Sequence, residues 1–361
     1  MSRPPTLVSL ATALPPHVAR QEDARGLAAR LFPETVAGDP RLLQVFENAR
    51  IEKRHVCMPL EWYGQEHSFA EKNDLYVRHA VRLAGEVTER ALERAGLSPR
   101  DVDHVVFVST TGLATPSVDA RLANELGFRS GVRRTPIWGL GCAGGAAGLS
   151  HARDFALADP SARVLLIALE LCSLTFQPGD RSKRNLIATS LFGDGAAAAV
   201  ITGGGVGHAG RNGRPPLEIL ASRSVLWKDT EDVMGWSVDG AGLHVIFSRD
   251  IPTIVRDQVR PSLLEFLEEQ GLSVDAVHLA AHPGGQRVLH AYAEALGLPA
   301  EAFRHARDVL RDCGNMSSPS CLFVLERFLD SGDLRASEAV VVAALGPGFS
   351  AEYALLRAAG T

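Results

Sequence analysis

The sequence has no long uncharged apolar run and no surplus of positive charge, and each absence excludes a class of protein. None of its 361 residues belongs to an uncharged apolar stretch of about 18 residues, the length that a membrane-spanning helix needs. Lys and Arg number 37 against 42 Asp and Glu, which gives a net charge of −5. We therefore expect no stable membrane insertion and no nucleic-acid partner, since nucleic-acid-binding proteins carry a basic surface.

Cysteine is also scarce, and its spacing excludes the common disulfide and zinc frameworks. The number of cysteines is odd, and no two of them have the CxxC spacing. The sequence therefore predicts free thiols, no metal site and a reducing compartment, and we expect a cytoplasmic location. One of the five thiols is a candidate for special chemistry: Cys57, Cys142, Cys172, Cys313 or Cys321.

Apolar residues make up 46% of the chain, which is enough for a large core. Continuous apolar runs, typical of strands buried on both faces, occupy residues 104–110, 163–169, 277–281 and 339–344. Helices are predicted around and between these runs at residues 74–95, 143–158, 253–270, 285–296 and 318–329. This alternation predicts an α/β protein with mixed sheets.

The chain divides into two parts with strands and helices in similar order. The stretch 203–216 is rich in Gly, Pro and Arg, a composition typical of a surface connection. We therefore predict an N-terminal half over residues 1–205 and a C-terminal half over residues 206–361.

A candidate nucleophile lies in the small-residue segment 139–149, whose sequence is GLGCAGGAAGL. Cys142 follows a strand-like segment and precedes a helical run, which places its sulfur at a helix N-terminus. The helix dipole and the free N–H groups at that end favour a thiolate. The competing interpretation is a buried structural cysteine beside a glycine-assisted helix crossing.

Two further segments supply polar side chains at similar boundaries. His282 ends a buried strand and is followed by Pro-Gly-Gly, and the end of a parallel strand is where α/β proteins place catalytic groups. Asn315 precedes a small-residue helix start, and its amide donates hydrogen bonds without a titratable charge. A turn histidine and a helix-capping asparagine are the alternatives. Together, the cysteine, histidine and asparagine fit one site.

These segments resemble the active-site segments of the thiolase superfamily, and specifically of the type III polyketide synthases, the chalcone synthase-like enzymes. The matching segments are Cys142-Ala-Gly-Gly, His282-Pro-Gly-Gly and Gly314-Asn-Met-Ser-Ser-Pro. Residues 190–195, with the sequence SLFGDG, match a further segment of that family, and residues 344–348, ALGPG, resemble its C-terminal loop.

The resemblance implies a thiolase-like five-layered αβαβα fold with two similar halves, a homodimer, and no metal or redox cofactor. It implies iterative decarboxylative condensation of malonyl-CoA onto an acyl-CoA starter. Cys142 would carry the growing chain as a thioester, and its thiolate would be favoured by an imidazolium at His282. His282 and Asn315 would donate hydrogen bonds to the enolate.

The resemblance also assigns the substrate pocket, to which it gives Phe192, Val245, Trp236, Thr115, Thr175, Gly346 and Pro347. Val245 stands where plant enzymes carry a gatekeeper Phe, and the smaller side chain enlarges the site. Trp236 stands where plant enzymes tend to have Gly, and it would fill part of the same space. These departures resemble bacterial members that take fatty acyl starters and make alkylpyrones or alkylresorcinols, which is the product class that we expect.

For the CoA substrates, the plant family's basic binding residues correspond to Arg41, Gln44 and Asn48, so that only Arg41 keeps its charge. The nearby substitutes are Arg50, Lys53 and Arg54. Solvated surface positions are the alternative for all three.

Four other functions remain open at this point. The first is a synthase that uses a small starter and makes a naphthol or phloroglucinol skeleton. The second is an initiating ketoacyl-acyl-carrier-protein synthase, although that enzyme has His-Gln-Ala-Asn where this chain has His282-Pro-Gly-Gly. A papain-type hydrolase would carry a Cys-Gly-x-Cys-Trp segment, which is absent. A non-catalytic acyl-binding protein would not need Cys142, His282 and Asn315 together.

Overall fold

A mixed β-sheet joins the two halves of the chain. The structure is a computed structural model and describes residues 3–206, 214–248 and 250–359. The N-terminal half contributes the strands β1 (Thr6–Ala13), β2 (His17–Arg20), β3 (Lys53–Val56), β4 (His104–Val108), β5 (Arg133–Ile137), β6 (Arg163–Leu171) and β7 (Asp194–Thr202). Its helices are α1 (Gln21–Leu31), α2 (Pro33–Gly38), α3 (Gln44–Asn48), α4 (Phe69–Ala95), α5 (Val118–Leu126), α6 (Gly144–Ala158) and α7 (Lys183–Leu191).

The C-terminal half contributes the strands β8 (Leu217–Leu226), β9 (Met234–Asp239), β10 (Gly242–Phe247), β11 (Val277–Ala281), β12 (Ala339–Gly346) and β13 (Ser350–Ala358). Its helices are α8 (Ile251–Ile254), α9 (Arg260–Glu269), α10 (Gln286–Leu296), α11 (Arg304–Cys313) and α12 (Ser320–Ser331). Among these described elements, nine strands form one sheet in the order β11-β12-β13-β8-β1-β7-β6-β4-β5. The two halves meet at a short antiparallel contact in which Thr6 and Leu7 pair with Glu218 and Leu217.

The elements stack in five layers. Helix α4 packs on β1, β6 and β7 from outside. Helix α6 contacts β4 and β6 on one side and β12 and β13 on the other, and α12 likewise contacts strands of both halves. Helix α9 covers the outer face of the C-terminal half, where Phe266 stacks on Tyr353 with ring centroids 5.8 Å apart. The predicted αβαβα fold is therefore confirmed, with the small-residue helix α6 buried at its centre.

The four predicted buried strands all begin at the expected residues, but several helices differ from the prediction. Helix α4 begins at Phe69 because the Ser68 hydroxyl accepts a hydrogen bond from the Glu71 amide and caps it. Helix α12 begins two residues late because Ser318 precedes Pro319, and a residue before proline disfavours helical dihedrals.

The helix predicted over residues 253–270 is confirmed, since residues 251–269 are helical without a break. It divides into α8, a π-helical turn (Val255–Val259) and α9. Pro261 has no N–H to continue the hydrogen-bond ladder, so the backbone is irregular directly before it. Of the predicted connection 203–216, residues 207–213 lie outside the described residues. No helix of the described ranges is long and apolar enough to span a bilayer.

The crossing of α6 and α12 predicts an unusual sign for one glycine substitution. Alanine normally stabilises a helix interior by about 1 kcal/mol over glycine. At Gly145, however, a Cβ atom would overlap the Ser318 carbonyl oxygen and would lie 2.7 Å from the Cys321 sulfur. We therefore expect Gly145→Ala to destabilise the protein by about 1–3 kcal/mol, the usual cost of overpacking.

Chemical denaturation measures this effect, and Gly85→Ala is the matched control. Gly85 is also inside a helix, but its added Cβ would meet only the Leu122 side chain, at an ordinary 3.7 Å. Gly85→Ala should therefore be neutral or stabilising. Equal midpoints for Gly145→Ala and Gly85→Ala would contradict the close approach of the two helices.

Candidate active site

The three predicted catalytic side chains line one cavity. Cys142, His282 and Asn315 come from three different elements, and the space that they enclose, up to its mouth, is about 620 Å³. Most other lining side chains are apolar, among them Met234, Phe247, Ile251, Val288 and Leu345. The site is therefore a largely apolar chamber with a few polar groups that converge on it.

Cys142 lies in a single 3₁₀ turn (Gly141–Ala143) that leads directly into α6. The turn needs glycine, because Gly141 has a φ of +47° and a Cβ there would lie 2.8 Å from the Pro347 ring. The Gly141 amide donates to the Thr110 hydroxyl at 3.2 Å. The thiol thus lies at a helix N-terminus, as the sequence indicates, and is 8% exposed.

His282 follows the last residue of β11. Its backbone N–H donates to the Ala343 carbonyl at 2.7 Å, which continues the ladder to β12 and fixes the residue at the cavity. Both ring nitrogens are buried, and neither has a hydrogen-bond partner among the described residues. The imidazole therefore has donor and acceptor capacity that the protein itself does not use.

Asn315 is held by hydrogen bonds of its backbone and of its side-chain amide. Its N–H donates to the Leu191 carbonyl, and its carbonyl accepts from the Gly193 amide, both at 2.9 Å. The side-chain Oδ1 accepts from the Ser317 amide, and Nδ2 donates to the Gly284 carbonyl at 3.1 Å. An amide nitrogen carries two N–H groups, and the Asn315 side chain also hydrogen-bonds the Cys142 sulfur, which lowers the pKa of that thiol.

Glu170 supports this arrangement and is missed by the sequence analysis. Its fully buried carboxylate accepts from the Thr110 amide, the Thr111 hydroxyl and the Ser318 hydroxyl, at 2.8–2.9 Å. Thr110 holds the turn of the nucleophile and Ser318 follows the Asn315 segment, so Glu170 ties the two together. Burial raises the pKa of this carboxyl to about 7. The signal in the sequence is a single charged residue within the apolar run of β6.

Burial opposes an isolated charge on either member of the predicted thiolate–imidazolium pair. It raises the pKa of the Cys142 thiol to about 11, against a smaller opposing effect of the Ser317 hydrogen bond. It lowers the pKa of His282 to about 3. Near neutral pH the thiolate is therefore favoured when a group in the same cavity receives its proton. His282 is the only basic side chain among the described residues that line it.

Three of the predicted pocket residues form a wall between this cavity and a second one. Phe192, Trp236 and Val245 line both. Trp236 and Val245 are paired neighbours on the two-stranded ribbon of β9 and β10, and the rings of Trp236 and Phe192 are 6.2 Å apart. Thr175 lines the second cavity.

The C-terminal loop and one predicted pocket residue lie in different surroundings. Pro347 lines the catalytic cavity, whereas Gly346 packs against the turn of the nucleophile, where a Cβ would lie 2.9 Å from the Ala143 amide nitrogen. Thr115 does not belong to the pocket, because it is exposed and lines neither cavity. Its loop follows β4 and begins near the nucleophile turn, where the Thr110 hydroxyl accepts from the Gly141 amide.

The predicted CoA-binding residues divide into exposed and buried ones. Arg41, Arg50 and Lys53 are exposed, and Arg41 pairs with Asp39 at 3.0 Å. Arg54 is not a surface residue, and its assignment to CoA is wrong. It is 2% exposed, and its guanidinium donates to the carbonyls of Thr189 and Phe192 and to the Gln21 side chain.

Comparison with known proteins gives the family. Residues 2–205 match the N-terminal domain of the chalcone and stilbene synthases, and residues 218–360 match their C-terminal domain. A putative chalcone synthase of Bacillus subtilis is 42% identical over 97% of both chains. A 1,3,6,8-tetrahydroxynaphthalene synthase of Streptomyces peucetius is 40% identical over 99% of this chain and 94% of its own. An α-pyrone synthesis polyketide synthase-like protein of Mycobacterium tuberculosis is 31% identical over 97% and 91%.

A solved structure is similar over the whole chain. The 1,3,6,8-tetrahydroxynaphthalene synthase of Streptomyces coelicolor has a TM-score of 0.92 at 34% identity, over 99% of this chain and 100% of its own. The fold and these comparisons thus define an acyltransferase of the thiolase-like class. The chain belongs to the chalcone and stilbene synthase family and is a type III polyketide synthase, an enzyme that forms carbon–carbon bonds.

The buried thiol and imidazole predict how Cys142 responds to alkylation. In His282→Ala the thiol loses the only basic side chain among the described residues that line its cavity, while the burial that raises its pKa remains. We expect inactivation by iodoacetamide at pH 7 to slow at least tenfold and to accelerate about tenfold per pH unit up to that pKa, because only the thiolate reacts.

Wild-type enzyme is the reference, with inactivation rates measured from pH 6 to pH 10. His278→Ala is the control, since His278 belongs to the same strand but pairs with Glu338 at 3.0 Å, outside the cavity. A His282→Ala enzyme that is alkylated as fast as wild type at pH 7 would show that His282 does not receive the proton.

Proposed function

We propose that this enzyme condenses malonyl-CoA onto a fatty acyl-CoA starter and releases a pyrone or resorcinol product. The observation that carries the proposal is the second cavity, which begins at the wall formed by Phe192, Trp236 and Val245. Its volume is about 720 Å³ including space open to solvent, and Cys142 is not among the residues that line it. The proposal requires an opening in this wall, through which an acyl chain on the Cys142 sulfur enters the second cavity.

The second cavity has the lining that an alkyl chain requires. It is built from α1, β2, β3 and α7, and its lining side chains are predominantly apolar, among them Ala19, Leu27, Ala28, Leu31, Val56, Leu60 and Phe176. Each methylene that leaves water contributes about 0.8 kcal/mol. Six buried methylenes would therefore contribute about 5 kcal/mol, enough to favour a long chain strongly over acetyl.

The catalytic cycle begins with loading of Cys142. His282 takes the thiol proton, and the sulfur attacks the carbonyl carbon of the starter thioester. The C–S bond to CoA breaks, and the CoA thiolate receives the proton back from His282. The apolar walls keep water from the resulting thioester.

Extension uses two hydrogen-bond donors of the site. Malonyl-CoA loses its carboxylate as CO₂, and the electron pair of the broken C–C bond forms an enolate. Its oxygen accepts hydrogen bonds from His282, through a ring N–H, and from an N–H of Asn315 Nδ2 that turns from the Cys142 sulfur once the sulfur carries the acyl chain. The enolate carbon attacks the acyl carbonyl on Cys142, and the sulfur leaves as thiolate. The lengthened chain, now on CoA, reloads Cys142 for the next round.

Two parts of the proposal concern binding partners. Arg41, Arg50 and Lys53 are exposed basic residues of the N-terminal half that we assign to the CoA phosphates. We also propose a homodimer, because β5 is an edge strand of the sheet and Trp138 directly after it is 51% exposed. Light scattering of the purified enzyme tests the dimer.

A small-starter synthase is the second candidate function. It is favoured by the names of the Streptomyces relatives and by Trp236, whose ring occupies part of the wall. Incubation with malonyl-CoA and acyl-CoA starters from C2 to C18, followed by mass spectrometry, separates the two. Products from C8 to C18 starters support the fatty acyl proposal. An enzyme that ignores C8 to C18 acyl-CoA but turns over malonyl-CoA without another starter would overturn it.

Val245→Phe tests the wall directly. A phenyl ring at this position narrows the opening between the cavities, so kcat/KM for C12 to C18 starters should fall at least tenfold relative to that for C2 to C6 starters. Val238→Phe is the matched control, because Val238 belongs to the same ribbon but is 52% exposed. An unchanged chain-length profile in Val245→Phe would exclude passage of the acyl chain at this wall.

Asn315→Asp tests the enolate contact. The new carboxylate would repel the enolate, and loss of one such donor typically costs about 10²–10³ in rate. We expect CO₂ release from malonyl-CoA to fall by this factor, while loading of Cys142 by a radiolabelled acyl-CoA falls much less. Loss of loading with normal CO₂ release would reassign Asn315 to the first step.

A further inference from the structure

The ribbon that carries the wall residues is weakly joined to the rest of the molecule. Strands β9 and β10 pair only with each other and do not belong to the nine-stranded sheet. Hydrogen bonds within the described part of residues 234–247 are mainly internal, and Asp239 closes the turn by accepting from the Ala241 and Gly242 amides. The positions of Trp236 and Val245 therefore depend on contacts outside the sheet.

Gln177 supplies that attachment. Its side-chain Nε2 donates to the Ala241 and Leu243 carbonyls, each at 3.3 Å. Among the described residues, these are the only hydrogen bonds that join residues 234–247 to another element. The contact is close, because a Cβ on Gly242 would lie 2.8 Å from Nε2. Leu243 is two residues before Val245 on β10, so the bond lies beside the wall.

Lys72 fixes the orientation of the Gln177 amide. The Lys72 ammonium donates to Gln177 Oε1 at 3.0 Å and to the Phe176 carbonyl at 3.2 Å. With Oε1 turned toward an ammonium, Nε2 must face the ribbon. Lys72 is 5% exposed and forms no ion pair with a described carboxylate, and burial of such a cation is costly. Its burial is therefore explained by the amide that it orients.

Gln177 and Lys72 are themselves attached to helices. The Gln177 backbone carbonyl accepts from Asn185 Nδ2 at 2.7 Å, which ties residue 177 to helix α7. Lys72 belongs to the first turn of the long helix α4. Besides its packing contacts, the ribbon is thus hydrogen-bonded through one side chain to a residue that is tied to two helices, one of which also lines the second cavity.

We propose that Lys72 and Gln177 are positioning residues that hold the β9–β10 ribbon and thereby set the width of the opening between the two cavities. This inference rests on the proposed function in one respect, namely that the starter passes this opening. Neither residue touches the reacting atoms. Their effect is on which chain lengths the enzyme accepts, because a ribbon held in one place gives the opening one size.

Gln177→Glu separates this role from general stability. The carboxylate keeps the acceptor for Lys72 and adds an ion pair, so the fold is retained. It has no N–H for the Ala241 and Leu243 carbonyls, so the ribbon is released. Gln177→Leu removes both contacts and is the second variant. Ser9→Ala is the control: it loses a buried 2.7 Å hydrogen bond to the Ala91 carbonyl, far from the ribbon.

Two measurements are made on each variant. In hydrogen–deuterium exchange, peptides over residues 234–247 should exchange about tenfold faster in both Gln177 variants, with no change in β4 and β6. In the starter panel from C2 to C18, the ratio of kcat/KM between the best and the poorest starter should fall about tenfold. Ser9→Ala should change neither result.

The proposal would be overturned if Gln177→Glu kept the wild-type exchange rate in the ribbon and the wild-type chain-length profile. Faster exchange throughout the molecule would also overturn it. Failure of the fatty acyl proposal is distinguishable, because it would appear in the wild-type enzyme as a preference for short starters. The loss of discrimination in the Gln177 variants is measured against that wild-type preference, whichever starter it favours.

Discussion

The close approach of two helices determines the site. Helix α6 begins at the nucleophile, α12 begins just after the Asn315 segment, and no side chain separates them at Gly145, where a Cβ would overlap the Ser318 carbonyl oxygen. The buried Glu170 carboxylate joins the same two regions through Thr110 and Ser318. A wider crossing would move Cys142 away from the asparagine, and the enolate would then form out of reach of the acyl carbon.

A dry site makes the charges depend on each other. Burial opposes a lone thiolate at Cys142 and a lone imidazolium at His282. Transfer of one proton between them creates both charges together, with no net charge in the cavity. In the proposed function, the same dryness would protect the thioester from water and would provide the apolar space for an alkyl chain. Thioester protection and the choice of starter thus have one physical origin.

The sequence predicts the buried strands, the position of Cys142 at a helix start and the three catalytic candidates, because each depends on local pattern. Long-range contacts were not predictable. Arg54 reads as a surface cation, yet it is buried because carbonyls distant in sequence surround its guanidinium. Glu170 and Gln177 have no local motif, and their partners lie on other elements. Thr115 was placed in the pocket by resemblance alone, and its exposure is a tertiary property.

The central claim is that the acyl chain on Cys142 lies in the second cavity. A fatty acyl-CoA with a terminal diazirine tests it most directly: the enzyme is loaded without malonyl-CoA, irradiated and mapped by peptide mass spectrometry. The account predicts a Cys142 thioester and crosslinks to the cavity lining in helix α1 and residues 56–63. Crosslinks confined to Met234, Ile251 and Tyr292 around the catalytic cavity, or no thioester at all, would contradict it.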